Sequence, residues 1–212
     1  MIVETISGEG RFNSYLVVDE VSKEAVIIDP FTEESKIEPF VLKNSAKVKY
    51  VVLTHCKEDP VNNSVSSVPY FVRQGIEVLL HEADDDNLSL GSRDSFKQPV
   101  HGGEAFSLGR KPIRLIYTPG YTNGSMSILL EDNLFTGALP FKKVPMPSDP
   151  FSMITKEDVY KGYQRLAKLP DETKVFPGDP TLPQQKTLGN LKNEFPALKT
   201  ASVQEFVQLA KA

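Results

Sequence analysis

The order of elements in this chain predicts an α/β fold of four layers, an α/β/β/α sandwich. Three observations carry that expectation. Short runs rich in Val, Ile and Leu end abruptly at polar or turn residues, as buried strands do. Between them lie segments whose apolar residues recur at helical spacing. The order of strands, helix, strand, helix, strand is then followed by strands, helix, strand, helix. This suggests two similar halves, each a sheet with helices on its outer face, packed sheet to sheet. No sequence repeat accompanies the symmetry.

Taken in order, residues 2–6, 14–18 and 25–28 are apolar patches. They are separated by Gly8-Glu9-Gly10 and by the charged segment 19–24, the punctuation of an antiparallel meander. Asp29-Pro30 ends the third strand. Over 32–44, Ile37, Phe40 and Val41 fall at i, i+3 and i+4, which predicts a short amphipathic helix with Thr32 or Ser35 near its start. Residues 47–54 form the next strand. Beyond Pro60, Val61, Val65, Val68 and Val72 recur at roughly helical spacing, and Gly75 offers a left-handed stop. Pro69 marks a first-turn position or a kink in that helix. Residues 76–81 read as a buried strand, Glu82-Ala83-Asp84-Asp85-Asp86 as the entry to one helical turn reaching Leu90, and 91–103 as loop.

Strands at 104–108, 113–118, 125–131 and 134–136 follow, with Asp132-Asn133 turning the last pair. Thr155 and Asp158 resemble a capping box ahead of a helix whose apolar face is Val159, Tyr163, Leu166 and Ala167. A short strand at 174–176 ends in Pro177-Gly178-Asp179-Pro180. Ser202 and Glu205 cap a last helix that faces the core through Val203, Phe206, Val207 and Ala210.

A length of 212 residues with 40% hydrophobic composition suits one domain spanning 1–212 with a large core. A net charge of -4 without a polybasic cluster gives no electrostatic case for nucleic acid as a partner. The single cysteine, Cys56, excludes an intrachain disulfide and a cysteine-rich zinc module. No run approaches a membrane span and the chain opens without a signal pattern, so a cytoplasmic protein with no membrane partner is expected.

The chemistry gathers where the apolar run Val51-Val52-Leu53 stops, delivering His55, Lys57 and Asp59 to the carboxyl end of a strand. Thr54-His55-Cys56-Lys57-Glu58-Asp59-Pro60 resembles the Thr-His-x-His-x-Asp-His signature of the metallo-β-lactamase superfamily. Further segments resemble that family in its order. These are Tyr15-Leu16-Val17-Val18-Asp19 with Ala25-Val26-Ile27-Ile28-Asp29-Pro30, Tyr117-Thr118-Pro119-Gly120-Tyr121-Thr122-Asn123-Gly124-Ser125, Leu134-Phe135-Thr136-Gly137-Ala138 and Val175-Phe176-Pro177-Gly178-Asp179. The resemblance covers nearly the whole chain and is nearest the hydroxyacylglutathione hydrolase (glyoxalase II)-like branch. It implies the metallo-β-lactamase fold. The stretch after Asp179 is too short for the helical glutathione-binding domain of true glyoxalase II, so the thioester substrate is not implied.

Carried across by position, the resemblance puts a first metal at His55, Lys57 and Tyr121, a second at Asp59, Pro60 and Asp179, and the bridging carboxylate at Ala138. Only His55 and Asp59 keep the family's ligand type. Lys57 must lose its proton to coordinate, Tyr121 ligates only as phenolate, from a usual pKa of about 10, and Pro60 and Ala138 offer no donor. No metal or other cofactor is therefore expected. In its place stands a protein-only pocket of His55, Lys57, Asp59, Tyr121, Ala138 and Asp179, in which the Lys57 ammonium neutralises the two aspartates.

The expected function is a non-hydrolytic or zinc-independent homologue, a pseudoenzyme that binds a small molecule or acts as a homo-oligomeric structural partner; no catalytic residue is assigned. The alternative is a hydrolase of thioesters, lactones or related esters, holding one weakly bound zinc or other divalent metal through His55, Asp59 and Asp179, with Cys56 or His81 assisting. Plainer roles stand beside these: a structural His55, a buried Cys56, structural or surface His81 and His101, and a helix-entry cluster at Asp84, Asp85 and Asp86. Residues 140–147 form a proline-stiffened connection, a pocket border or a subunit contact.

Overall fold

The computed structural model describes residues 1–7, 12–56, 66–143 and 154–211. Its strands form two six-stranded sheets. The first contains β1 (Ile2–Ser7), β2 (Asn13–Val18), β3 (Glu24–Ile28), β4 (Lys47–Val52), β5 (Glu77–His81) and β6 (Lys97–Val100) in that spatial order. β1 to β3 pair antiparallel, and β3 to β6 pair parallel. The second contains β7 (Ala105–Leu108), β8 (Lys111–Tyr117), β9 (Met126–Leu130), β10 (Asn133–Gly137), β11 (Lys174–Pro177) and β12 (Lys186–Thr187), again in order. There β10 and β11 are parallel and the other pairs antiparallel.

Parallel neighbours need a crossover. Helices α1 (Glu34–Lys43), α2 (Val68–Arg73) and α3 (Lys156–Ala167) lie in three of these, and α4 (Leu188–Glu194) and α5 (Val203–Lys211) follow β12.

Alternation along the strands divides the apolar residues into three layers. Tyr15 and Val17 of β2, Val26 and Ile28 of β3, Ile128 and Leu130 of β9 and Phe135 of β10 meet between the sheets. Leu16, Val18, Ala25 and Ile27 point the other way, under Ile37 of α1 and Phe71 and Val72 of α2. Leu129, Leu134 and Val175 pack beneath Tyr163 and Leu166 of α3 and Phe206 of α5. These strands are buried on both faces, which is why they read as unbroken apolar runs. The α/β/β/α sandwich is the observed architecture.

Several elements differ from expectation. Within 91–103, taken as loop, a 3-10 turn at Gly91–Phe96 leads into β6, a sheet-edge strand containing Pro99 and two polar residues. The β9–β10 loop is Glu131 and Asp132 rather than Asp132 and Asn133: Asn133 pairs with Leu130, and Glu131 takes the positive φ of 53°. Thr32 and Ser35 stand near the start of α1 as expected, but the cap position itself is Glu33. β12, α4 and a 3-10 turn at Pro196–Lys199 occupy a stretch that carries little periodicity. Pro69 sits in the first turn of α2. The capping box at Thr155 and Asp158 forms on α3, with its apolar face buried through Val159, Tyr163 and Leu166. Gly8-Glu9-Gly10, Val61, Val65 and most of the 140–147 loop lie outside the described residues. No described helix is long and apolar enough to cross a membrane.

The sheets are tied at their ends by directional bonds. The Tyr15 hydroxyl donates to Pro177 O at 2.6 Å, and the Asn13 N–H donates to Gly178 O at 2.7 Å. The Met126 N–H donates to Thr54 O at 2.7 Å. Tyr15→Phe removes one such bond while keeping the ring, and the Asn13 amide still donates to Pro177 O at 3.1 Å. A loss of about 1 kcal/mol is expected in urea denaturation, with unchanged secondary structure by circular dichroism.

Candidate functional site

The site is built on the carboxyl end of β4. Asp29, one residue past β3, adopts φ 49°, a left-handed conformation that Asp tolerates better than most residues. This turn aims its buried carboxylate at Thr54: Oδ1 accepts the Thr54 N–H at 2.7 Å and Oδ2 accepts the Thr54 hydroxyl at 2.6 Å. Thr54 Oγ1 lies 2.8 Å from His55 Nδ1. A hydroxyl has one proton to give. When the Thr54 proton points at an ionised Asp29, Nδ1–H of His55 must donate to Thr54, and Nε2 carries the lone pair. Gly137 permits the close approach of β10, since a Cβ there would lie 2.0 Å from Thr54 Oγ1.

His55 is 5% exposed and enclosed by rings, with Phe12, Phe31 and Tyr121 at centroid distances of 4.9, 5.2 and 5.0 Å. Burial pushes its pKa down to about 3, so it is a neutral imidazole near pH 7. Burial also pushes the Asp29 pKa up, to about 7, against the downward pull of the two Thr54 bonds.

Of the residues taken from the sequence, His55 and Tyr121 come together. Tyr121 lies on the turn after β8 and is 37% exposed. Ala138 follows Gly137 and is half-buried. Asp179 is also half-buried, but one of its oxygens accepts both the N–H and the hydroxyl of Thr181, at 2.8 and 2.7 Å. Burial acts to raise its pKa, but the Thr181 bonds and the nearby Lys142 charge prevail and lower it. Lys57, Asp59 and Pro60 lie outside the described residues. His81 is structural: its ring stacks on Tyr117 at 4.5 Å and its Nδ1 accepts the Ala83 N–H. His101 is on the surface beside Glu82, and Cys56 is buried.

Asp84 stands in the first turn of a 3-10 helix at Glu82–Asn87, as the helix-entry cluster suggests, and also joins two loops of the site. Its buried carboxylate accepts the Cys56 N–H at 2.9 Å, the Thr122 hydroxyl at 2.6 Å and the Gly124 N–H at 2.8 Å. Gly124 is required there, because a Cβ would come within 2.6 Å of the carboxylate. Two of the three donors are backbone amides and leave no trace in the sequence. Phe12 and Phe31 were likewise missed, since each stands in a loop with no periodicity to mark it.

Three of the positions that would hold metal, Lys57, Asp59 and Pro60, lie outside the described residues. Ala138 has no donor atom, and one oxygen of Asp179 is committed to its own turn. Among the described residues no three His, Cys, Asp or Glu side chains form a group that could hold one.

Two outcomes follow. The folded Asp29 pKa of about 7 lies above its ordinary 3.8, so its contribution to stability is complete below pH 3.8 and lost as pH rises through 7. The folded His55 pKa of about 3 lies below its ordinary 6.5, so its contribution is complete above 6.5 and lost as pH falls through 3. Between about pH 4 and 6.5 the two slopes oppose each other. Relative to the parent, Asp29→Asn should gain stability with rising pH across this window and His55→Gln should lose it, each by about 1 kcal/mol per pH unit in urea denaturation. Separately, Asp84→Ala strands two buried amides and should cost about 3 kcal/mol in the same measurement.

A family profile for the metallo-beta-lactamase superfamily matches residues 8–211. A Bacillus velezensis protein named probable polyketide biosynthesis zinc-dependent hydrolase BaeB is 31% identical over 183 residues, covering 84% of this chain and 78% of that protein. A Mus musculus hydroxyacylglutathione hydrolase-like protein is 30% identical over 199 residues, covering 92% of this chain and 64% of the mouse protein. Among solved structures, ETHE1 from Myxococcus xanthus superposes with a TM-score of 0.76 at 25% identity, covering all of this chain and 90% of that one. With its two sheets, its layer order and a profile match over nearly its full length, the chain belongs to the metallo-beta-lactamase superfamily.

Proposed function

We propose that this chain is a metallo-beta-lactamase-fold protein that has given up most of its metal ligands, a non-hydrolytic or zinc-independent homologue that binds a small molecule or serves a structural role, self-association included. The observation that carries this reading is the donor set around His55. His55 keeps a ligand's form, a neutral ring with its Nδ1 held by Thr54, but Ala138 has no donor atom and Tyr121 ligates only as phenolate. A catalytic zinc needs about three protein ligands and an open position for water. Of Tyr121, Ala138 and Asp179, only Asp179 offers a common zinc ligand. In this reading Lys57 replaces the metal's charge beside Asp59 and Asp179, and the protein is cytoplasmic.

A second reading has one observation in its favour. The Bacillus velezensis relative is named a zinc-dependent hydrolase, so a metal-dependent hydrolase acting on thioesters, lactones or related esters through His55, Asp59 and Asp179 is the alternative.

Elemental analysis of the purified chain separates the two. The first reading expects well under one zinc, iron or manganese per chain, even after dialysis against excess metal. Near-stoichiometric metal that is lost in His55→Gln would establish the second. Combined replacement of Lys57→His, Pro60→His, Tyr121→His, Ala138→Asp and Asp179→His is expected to restore metal uptake if the backbone has kept the family's geometry.

A further inference from the structure

A second region of the molecule, on the outer face of the second sheet beside the end of α3, carries a cleft of about 640 Å³. Its floor is the outward side of β8. Ile113 and Leu115 point between the sheets, which turns Arg114 and Ile116 outward. One wall is the last turn of α3 and the segment after it, bringing Arg165, Lys168, Leu169 and Pro170. The other is the loop from His101 to Glu104.

That loop is a built wall. Gly102 and Gly103 adopt φ of 85° and 103°, the Gly103 N–H donates to Leu115 O, and the Glu104 carboxylate accepts the N–H groups of His101 and Gly102 at 2.6 and 2.9 Å.

The charges in the cleft do not cancel. Arg165 donates to Tyr117 O at 3.0 Å and lies over the Tyr117 ring. The side chains of Arg114 and Lys168 make no hydrogen bond or ion pair among the described residues. Glu104, held by the loop amides, is the one carboxylate among the lining residues and offsets one of the three cations. A helix C-terminus favours cations and accounts for Arg165 and Lys168 on that ground alone. Arg114, on a strand face, has no such explanation. Three cations therefore converge on one cleft in a chain whose net charge is -4.

We propose that this cleft binds an organic polyanion, a molecule with two or more negative charges set by phosphate or carboxylate groups. Arg114 receives one anionic group through its planar fork and Lys168 another as a point charge. Ile116, Leu169 and Pro170 take the organic body. The volume exceeds that of an inorganic anion and matches a nucleotide or a polycarboxylate.

The test is calorimetric titration of the full chain with adenosine diphosphate and, separately, with citrate. One saturable site per chain is expected for at least one of them. Arg114→Ala with Lys168→Ala should weaken it at least tenfold, while the charge-matched pair Lys47→Ala with Lys156→Ala should change it less than twofold. Tighter binding of adenosine diphosphate assigns phosphate as the anionic group, and tighter binding of citrate assigns carboxylate. No binding of either, or an equal effect of the two double variants, overturns the proposal. Both double variants alter exposed side chains, and an unchanged melting temperature checks that neither has lost its fold.

Discussion

The pair formed by Asp29 and Thr54 fixes what the rest of the site can be. Both carboxylate oxygens of Asp29 are committed to one residue, so Thr54 is held by its amide and its hydroxyl at once, and the rotamer of the side chain that positions His55 is set from behind. This arrangement needs a left-handed aspartate after β3, a conformation that costs of order 1 kcal/mol or more and persists because the parallel pairing of β3 and β4 over-determines it. It also needs Gly137, because no side chain fits against the Thr54 hydroxyl. The imidazole is thus oriented before any ligand arrives.

Around this pair, protein groups join the loops. Asp84 links the residue after His55 to the turn that carries Tyr121, through three bonds from donors on two loops. The rings of Phe12, Phe31 and Tyr121 then close over His55, and their packing explains why it stays uncharged. A buried carboxylate and a buried imidazole one hydroxyl apart would each be costly alone. They coexist because burial drives each toward its neutral form and Thr54 can donate to either.

Much of the fold was legible because strands buried on both faces write themselves as apolar runs, as at Tyr15 to Val18 and Ala25 to Ile28, and because Thr155 with Asp158 announces α3. β6 was not legible: an edge strand of Lys97, Gln98, Pro99 and Val100 carries neither alternation nor an apolar run. The turn of β9 into β10 was displaced by one residue because Glu131, rather than the more tolerant Asn133, takes the positive φ. In the site, His55 and Tyr121 could be placed from motif spacing. The partners that determine their state could not, because they are backbone amides, a threonine hydroxyl and rings from irregular loops.

The bond from the Met126 N–H to Thr54 O has a consequence for motion. Thr54 is joined by its amide to the end of β3 and by its carbonyl to the first residue of β9, so one peptide segment is shared by both sheets. Freeing His55 from its position means parting the sheets at that end. The amide protons of Thr54 and Met126 should accordingly exchange with solvent only in openings as rare as unfolding of the sandwich itself, and the order of the pocket is then a property of the whole fold rather than of its loops.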